Sequence, residues 1–179
     1  YFYIRLASLF GDVPLVKTEI TFDESKNLTR DPVSAVWDFI SNELSQSADL
    51  LPVTQKDKGR MTKGAALGLK ARAMLFAGRY QEAAAAAKAV MDLKVYQLYP
   101  SYKNLFSYAA ENSKEVIMDI EFMPDVYSNN IFALLAPKSV NANSKWVPTK
   151  NIVDMYEMNN GLSISDTASG FDPYNPYVN

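Results

Sequence analysis

The chain has 179 residues, nearly half of them apolar and about a fifth charged, the composition of a globular domain with its own core or of part of a larger one. It contains neither cysteine nor histidine, which excludes disulfides, thiolate nucleophiles, zinc held by Cys or His, and serine–histidine triads within these residues. The net charge is −2 but uneven: residues 56–103 carry ten basic side chains against three acidic ones, a local excess of seven that leaves the remainder at −9. That basic stretch either attracts an acidic partner or merely solvates the outer face of helices, and it favours protein over nucleic acid. No apolar run approaches the ~20 residues of a membrane span.

Residues 1–10 are aromatic and aliphatic with a single Arg5, and they read as the last turns of a helix. Gly11 and Asp12 end it, and Pro14 holds Val13 extended. Residues 16–30 read as a polar, mostly irregular connection. Asp31 and Pro32 then open a helix, Asp31 as the cap and Pro32 in the first turn. Its stripe is Val33, Val36, Trp37, Ile40, Leu44, Ala48 and Leu51, and Pro52 stops it. Trp37 lies on the stripe and is predicted to be core.

Residues 59–93, GRMTKGAALGLKARAMLFAGRYQEAAAAAKAVMDL, predict two antiparallel helices with Thr62 as cap and a turn at Gly78 and Arg79. The first is apolar on two sides, through Leu69, Ala73 and Phe76 and through Leu67, Ala71 and Met74, so it should be packed on both. The second should turn Tyr80, Ala83, Ala84, Ala87, Val90 and Met91 inward, with Ala83 and Ala87 at the helix contact. Small residues at Ala71, Gly78 and Ala83, with Tyr80 opening the second helix, come close to the tetratricopeptide (TPR) pattern. A plain alanine-rich hairpin is the alternative.

Tyr96, Tyr99, Tyr102, Leu105 and Phe106 follow, either packing the hairpin's end or forming a short helix. Residues 115–122 partly alternate and predict a strand with one solvated face. Residues 123–147 have no period and are rich in Asn and Ser, with Tyr127, Phe132 and Trp146 embedded. Pro148 and Thr149 should open a short helix with Ile152, Val153 and Tyr156 inward, closed in C-cap style by Asn159, Asn160 and Gly161. The end, from Phe171, reads as a run of turns.

Taken together these stretches resemble the SusD/RagB outer-membrane lipoproteins of Bacteroidetes. The resemblance is carried by FGDVPL at 10–15, the helix from Arg30 through Val33, Val36, Ile40, Leu44 and Ala48 to LLP, GRMTKGAALGLKARAMLFAGRYQEA at 59–83, YQLYPSYKNLF at 96–106, Glu115-Val116-Ile117, Pro148 through Gly161, and FDPYNPY at 171–177. Asn160 departs from the acidic residue usual before that glycine. The resemblance implies a mostly α fold of TPR-like helical hairpins with long irregular loops and a short strand element. It implies a partial domain over 1–179, with TPR-like helices at about 32–51 and 62–93, a loop-rich segment at about 95–179, and N- and C-terminal parts lying outside it. It further implies a non-enzymatic, lipid-anchored protein of the outer-membrane surface that binds oligosaccharide or other nutrients with a SusC-like TonB-dependent transporter and needs no cofactor.

The family's ligand contacts lie in variable loops, so binding residues are read from the sequence itself. Sugars are held by aromatic faces, with amides on their hydroxyls. Trp146, Tyr127, Asn129 and Asn143 meet that description, and Asn141 and Ser144 flank them. Trp146 alternatively packs back onto the helix it precedes. A peptide-binding TPR adaptor is the second function class, though repeat arrays need about three repeats. A glycoside hydrolase is the third: Asp119 and Glu121 would share a strand face, and a solvated face explains them better. Asp166 and Asp172 are acidic but lack a calcium-loop signature.

Overall fold

The computed structural model describes residues 1–123, 125–140 and 143–176. They fall into two compact units that divide between Glu121 and Phe122. Almost all regular structure is helical, as the sequence predicts. Among the described residues β structure is confined to isolated antiparallel bridges, Val13 with Asp31, Met123 with Tyr127 and Glu157 with Ser163.

The first unit contains α1 (Phe2–Phe10), α2 (Phe22–Ser25), α3 (Val33–Leu50), α4 (Lys63–Phe76), α5 (Tyr80–Asp92) and α6 (Tyr102–Leu105). Thr62 caps α4 as expected, its hydroxyl accepting the Ala65 N–H at 3.2 Å. At the other end Gly78 takes φ +71°, the Gly78 N–H donates to the Leu75 carbonyl and the Arg79 N–H to the Met74 carbonyl. This is the paired bonding of a Schellman ending, and it turns the chain directly into α5. α4 packs against both α3 and α5, so both of its sides are used, although Phe76 at its end is exposed rather than packed. Val36, Trp37 and Ile40 of α3 meet Ala73 and Met74 of α4 and Ala83 of α5, and Ile4 and Ala7 of α1 complete the core. Trp37 is buried there, 7% exposed.

Three expectations in this unit need correction. Asp31 does not cap α3: its carboxylate accepts the Leu15 N–H at 2.8 Å and its own N–H donates to the Val13 carbonyl. The donor at Val33 is satisfied instead by Asp12, whose Oδ1 accepts it at 2.8 Å from 21 residues upstream. In α5 the buried positions are Ala83, Ala86 and Val90, whereas Tyr80, Ala84, Ala87 and Met91 are exposed. Residues 83–87 are all alanine, so composition carries no phase there. The phase is set at the start of α5, where Glu82 accepts the Ser41 hydroxyl at 2.8 Å and Arg79 lies 2.6 Å from Asp38. Residues 115–122 form no strand, because no second strand lies beside them to complete a ladder. The connection at 16–30 is mostly irregular, as expected, and its one helical turn, α2, is held by a capping box: the Glu24 N–H donates to the Thr21 hydroxyl and the Thr21 N–H to Glu24 Oε2.

After α5 the chain turns back to the start of α4. The Tyr96 ring lies against Gly64, where a Cβ would come within 2.1 Å of its hydroxyl, so any larger residue would displace that ring. α6 forms beyond it, with the Ser101 hydroxyl accepting the Asn104 N–H at 3.3 Å.

The second unit contains α7 (Ile131–Leu135) and α8 (Lys150–Asp154). Thr149 caps α8 as predicted, but Ile152, Val153 and Tyr156 are exposed rather than inward, since no packed element covers them. The helix ends at Asp154, and Asn159, Asn160 and Gly161 belong to a hairpin turn instead of its C-cap. Asn160 organises that turn: its Nδ2 donates to the Ala168 and Ser169 carbonyls and its Oδ1 accepts the Leu162 N–H. The final turn includes a Tyr174 N–H to Asp172 bond at 2.9 Å, and residues 177–179 lie outside the described residues.

Candidate functional site

Three of the four residues singled out for ligand contact are tied to α7. Asn129 sits at its start and accepts the Ile131 N–H at 3.2 Å. The segment after it folds back on its carbonyls: the Asn143 N–H donates to Ala133 at 2.8 Å, and those of Lys145 and Trp146 to Leu134 at 2.8 and 3.1 Å. The Ser144 N–H and hydroxyl both donate to the Ala136 carbonyl. Trp146 is therefore fixed by its backbone while its side chain is left 57% exposed. Asn141, which the sequence places beside these residues, lies outside the described residues.

Tyr127 belongs to a different piece of the same unit. It exchanges backbone hydrogen bonds with Met123, and its ring stacks on Phe122 at a centroid distance of 5.3 Å and 4° between planes. Both rings are partly exposed, Tyr127 by 63%, so the pair presents a broad apolar ledge. A strand over 115–122 would have placed Phe122 elsewhere, so the sequence pattern alone misses this pairing. The turn dipeptide Pro124-Asp125 between the two aromatics is the signal that points to it.

The other candidates resolve differently. Without a strand at 115–122, Asp119 and Glu121 have no common sheet face, and Glu121 accepts the Asn112 amide at 2.6 Å. Asp166 and Asp172 each accept a backbone N–H two residues on, as turn-forming aspartates do. Among the described residues no cluster of three or more acidic, His or Cys side chains could hold a metal ion. Lys63 and Lys70 stand on one face of α4 and border a groove of about 520 Å³ floored by Ala48, Leu67, Ala86 and Ala89. The Lys70 ammonium donates to the Ser45 hydroxyl at 2.7 Å, and the Lys63 ammonium lies 4.0 Å from Asp49.

No family model matches the sequence, and no curated protein matches it either. Solved structures do. A SusD-like protein of Bacteroides fragilis superposes with a TM-score of 0.77 at 28% identity, over 90% of this chain and 34% of its own. A SusD-like carbohydrate-binding protein of the same organism gives 0.75 at 26% identity, over 92% and 34%. The chain has the fold of SusD-like proteins. A laminarin-binding SusD-like protein matches more loosely, with a TM-score of 0.59 at 25% identity over 68% of this chain and 28% of its own. The chain thus spans about a third of the length of the structures it matches. None of its described helices is long and apolar enough to cross a membrane.

Proposed function

We propose that this SusD-like chain forms part of a cell-surface lipoprotein that binds glycans without cleaving them and works with a SusC-like TonB-dependent transporter in oligosaccharide uptake. The observation that carries the reading is Trp146, an exposed indole pinned by its backbone to α7, with Asn129 and Asn143 hydrogen-bonded to the same short helix from either side. A sugar ring would lie on the indole, and amides would take its hydroxyls. Tyr127 on its ledge offers a second stacking face. The similarity to proteins described as carbohydrate-binding and laminarin-binding supports the same class of ligand. The lipid anchor and outer-membrane location belong to the proposal through family resemblance and would reside outside this chain.

Intrinsic fluorescence tests it, because the chain has only two tryptophans and Trp37 is buried. Titration with laminarin and xyloglucan oligosaccharides should shift the Trp146 emission, and Trp146→Ala should abolish the signal and weaken binding at least about tenfold, since stacked aromatics anchor such sites. Unchanged affinity in that variant removes Trp146 from the site.

A protein partner is favoured by a separate observation, the groove beside α4 with its alanine floor and a rim of mixed charge, Lys63 and Lys70 with Asp49, Glu82 and Asp92. The double reversal Lys63→Glu and Lys70→Glu should slow association with the transporter in a salt-dependent way and leave glycan affinity unaltered. Equal association rates at low and high salt for both proteins would count against this face.

A further inference from the structure

A second cavity lies in the first unit, and none of Trp146, Tyr127, Asn129 and Asn143 lines it. The loop between α3 and α4 faces the segment that follows the 3₁₀ turn Tyr108–Ala110, and together they line an open pocket of about 140 Å³. Asp57, Lys58 and Arg60 line it from the loop, and Ser113 and Asp119 from the opposite segment, with Val116 and Ile117 as an aliphatic wall.

Three features of this lining select a ligand chemistry. Its charges cancel, two cationic against two anionic side chains, so the cavity has no net attraction for a phosphate or a metal cation. Arg60 and Asp57 are already paired at 3.1 Å, while Lys58 and Asp119 take part in no ion pair among the described residues. They remain as one donor and one acceptor. The Ser113 hydroxyl is shielded from solvent and has no hydrogen-bond partner among the described residues. A buried hydroxyl left without a partner is uncommon and costly, and it is satisfied when a ligand or water supplies the bond.

We infer that this cavity is a subsite for a single neutral sugar residue, with Asp119, Lys58 and Ser113 holding its hydroxyls and Val116 and Ile117 against its apolar face. Each sugar hydroxyl both donates and accepts, so it can bridge a carboxylate and an ammonium that are too far apart to pair. A small cavity with one aliphatic wall suits one ring rather than an extended chain. The inference shares its ligand class with the function proposed above but none of its residues.

Nuclear magnetic resonance separates the two. The chain is titrated with D-glucose, D-galactose, D-mannose and D-xylose, and in parallel with glycine and with inorganic phosphate, while the Ser113 and Asp119 amide signals are followed. At least one sugar should move both signals and saturate at about 1–10 mM, the weak affinity expected of one small ring. Ser113→Ala and Asp119→Asn should each weaken that binding by roughly tenfold, with the α3–α5 amide signals unchanged as proof of folding. The Trp146→Ala chain should respond as the parent does, so a failed glycan reading at Trp146 leaves this result interpretable. Silence with all four sugars, a response to glycine or phosphate alone, or full affinity in both variants overturns the subsite.

Discussion

The two units use similar apolar material in opposite ways. In the first, apolar residues recur at helical spacing on α3 and α4, and neighbouring helices close over them, so that Val36, Ala73 and Met74 are fully enclosed. In the second, Ser169 is the one buried position among the described residues, and Tyr127, Phe132, Trp146, Ile152 and Tyr156 all remain exposed. Its order comes from backbone and amide hydrogen bonds, at α7 and around Asn160, rather than from a core. Aromatic content is therefore a poor guide to a core by itself. Helical spacing with a second helix to receive it makes a core, and aromatics without it are left available for contact.

The contrast between the two tryptophans is the sharpest way to break this comparison. Trp37→Ala should cost about 3–5 kcal/mol, the usual effect of emptying a buried aromatic site. Trp146→Ala should change stability by less than about 0.5 kcal/mol, as exposed substitutions do. Urea unfolding followed by circular dichroism measures both, and similar losses would mean that Trp146 is also a packing residue.

Within α5 the same logic applies at the scale of one methyl group. Ala86 is 5% exposed and faces the packed side, so Ala86→Leu should destabilise by about 1–3 kcal/mol through overpacking. Ala87 is exposed, and Ala87→Leu should be close to neutral. Thermal melts that rank the two variants the other way would rotate the helix by a quarter of a turn.

The smallest effect concerns α2, which has no buried residue and stands on its capping box. Hydrogen bonds from the Thr21 backbone and then its hydroxyl favour the Glu24 carboxylate and hold its pKa below the ordinary glutamate value. A depressed carboxyl contributes its stabilisation above the unfolded pKa and loses it as the pH falls through the folded one. The α2 carbon shifts should therefore stay helical through mild acid and collapse only below the ordinary glutamate range. Thr21→Val, which removes the hydroxyl but keeps the backbone N–H, should move Glu24 only part of the way back to that range, and the global melting temperature should not move. An unshifted Glu24 titration in the parent chain would remove the box.

Features set by bonds within a few residues are legible in the linear sequence. Thr62 and Thr149 cap their helices because a threonine hydroxyl reaches an N–H three residues on, and Gly78 ends α4 because only a left-handed residue completes that turn. Trp37 is assignable to the core because the stripe on α3 holds its period over the whole helix. Asn129 and Trp146 stand out as loop residues with suitable chemistry, but nothing local joins them to one helix. Features that depend on distant partners are beyond a linear reading. Asp12 displaces Asp31 as the α3 cap because a bridge between Val13 and Asp31 brings it there. The inward side of five successive alanines depends on where Glu82 finds Ser41. A partly alternating segment becomes a strand only if another strand lies beside it, and residues 115–122 have none. Local hydrogen bonding is written in neighbouring residues, whereas helix phase, cross-chain capping and strand pairing are properties of what the chain meets after it has folded back on itself.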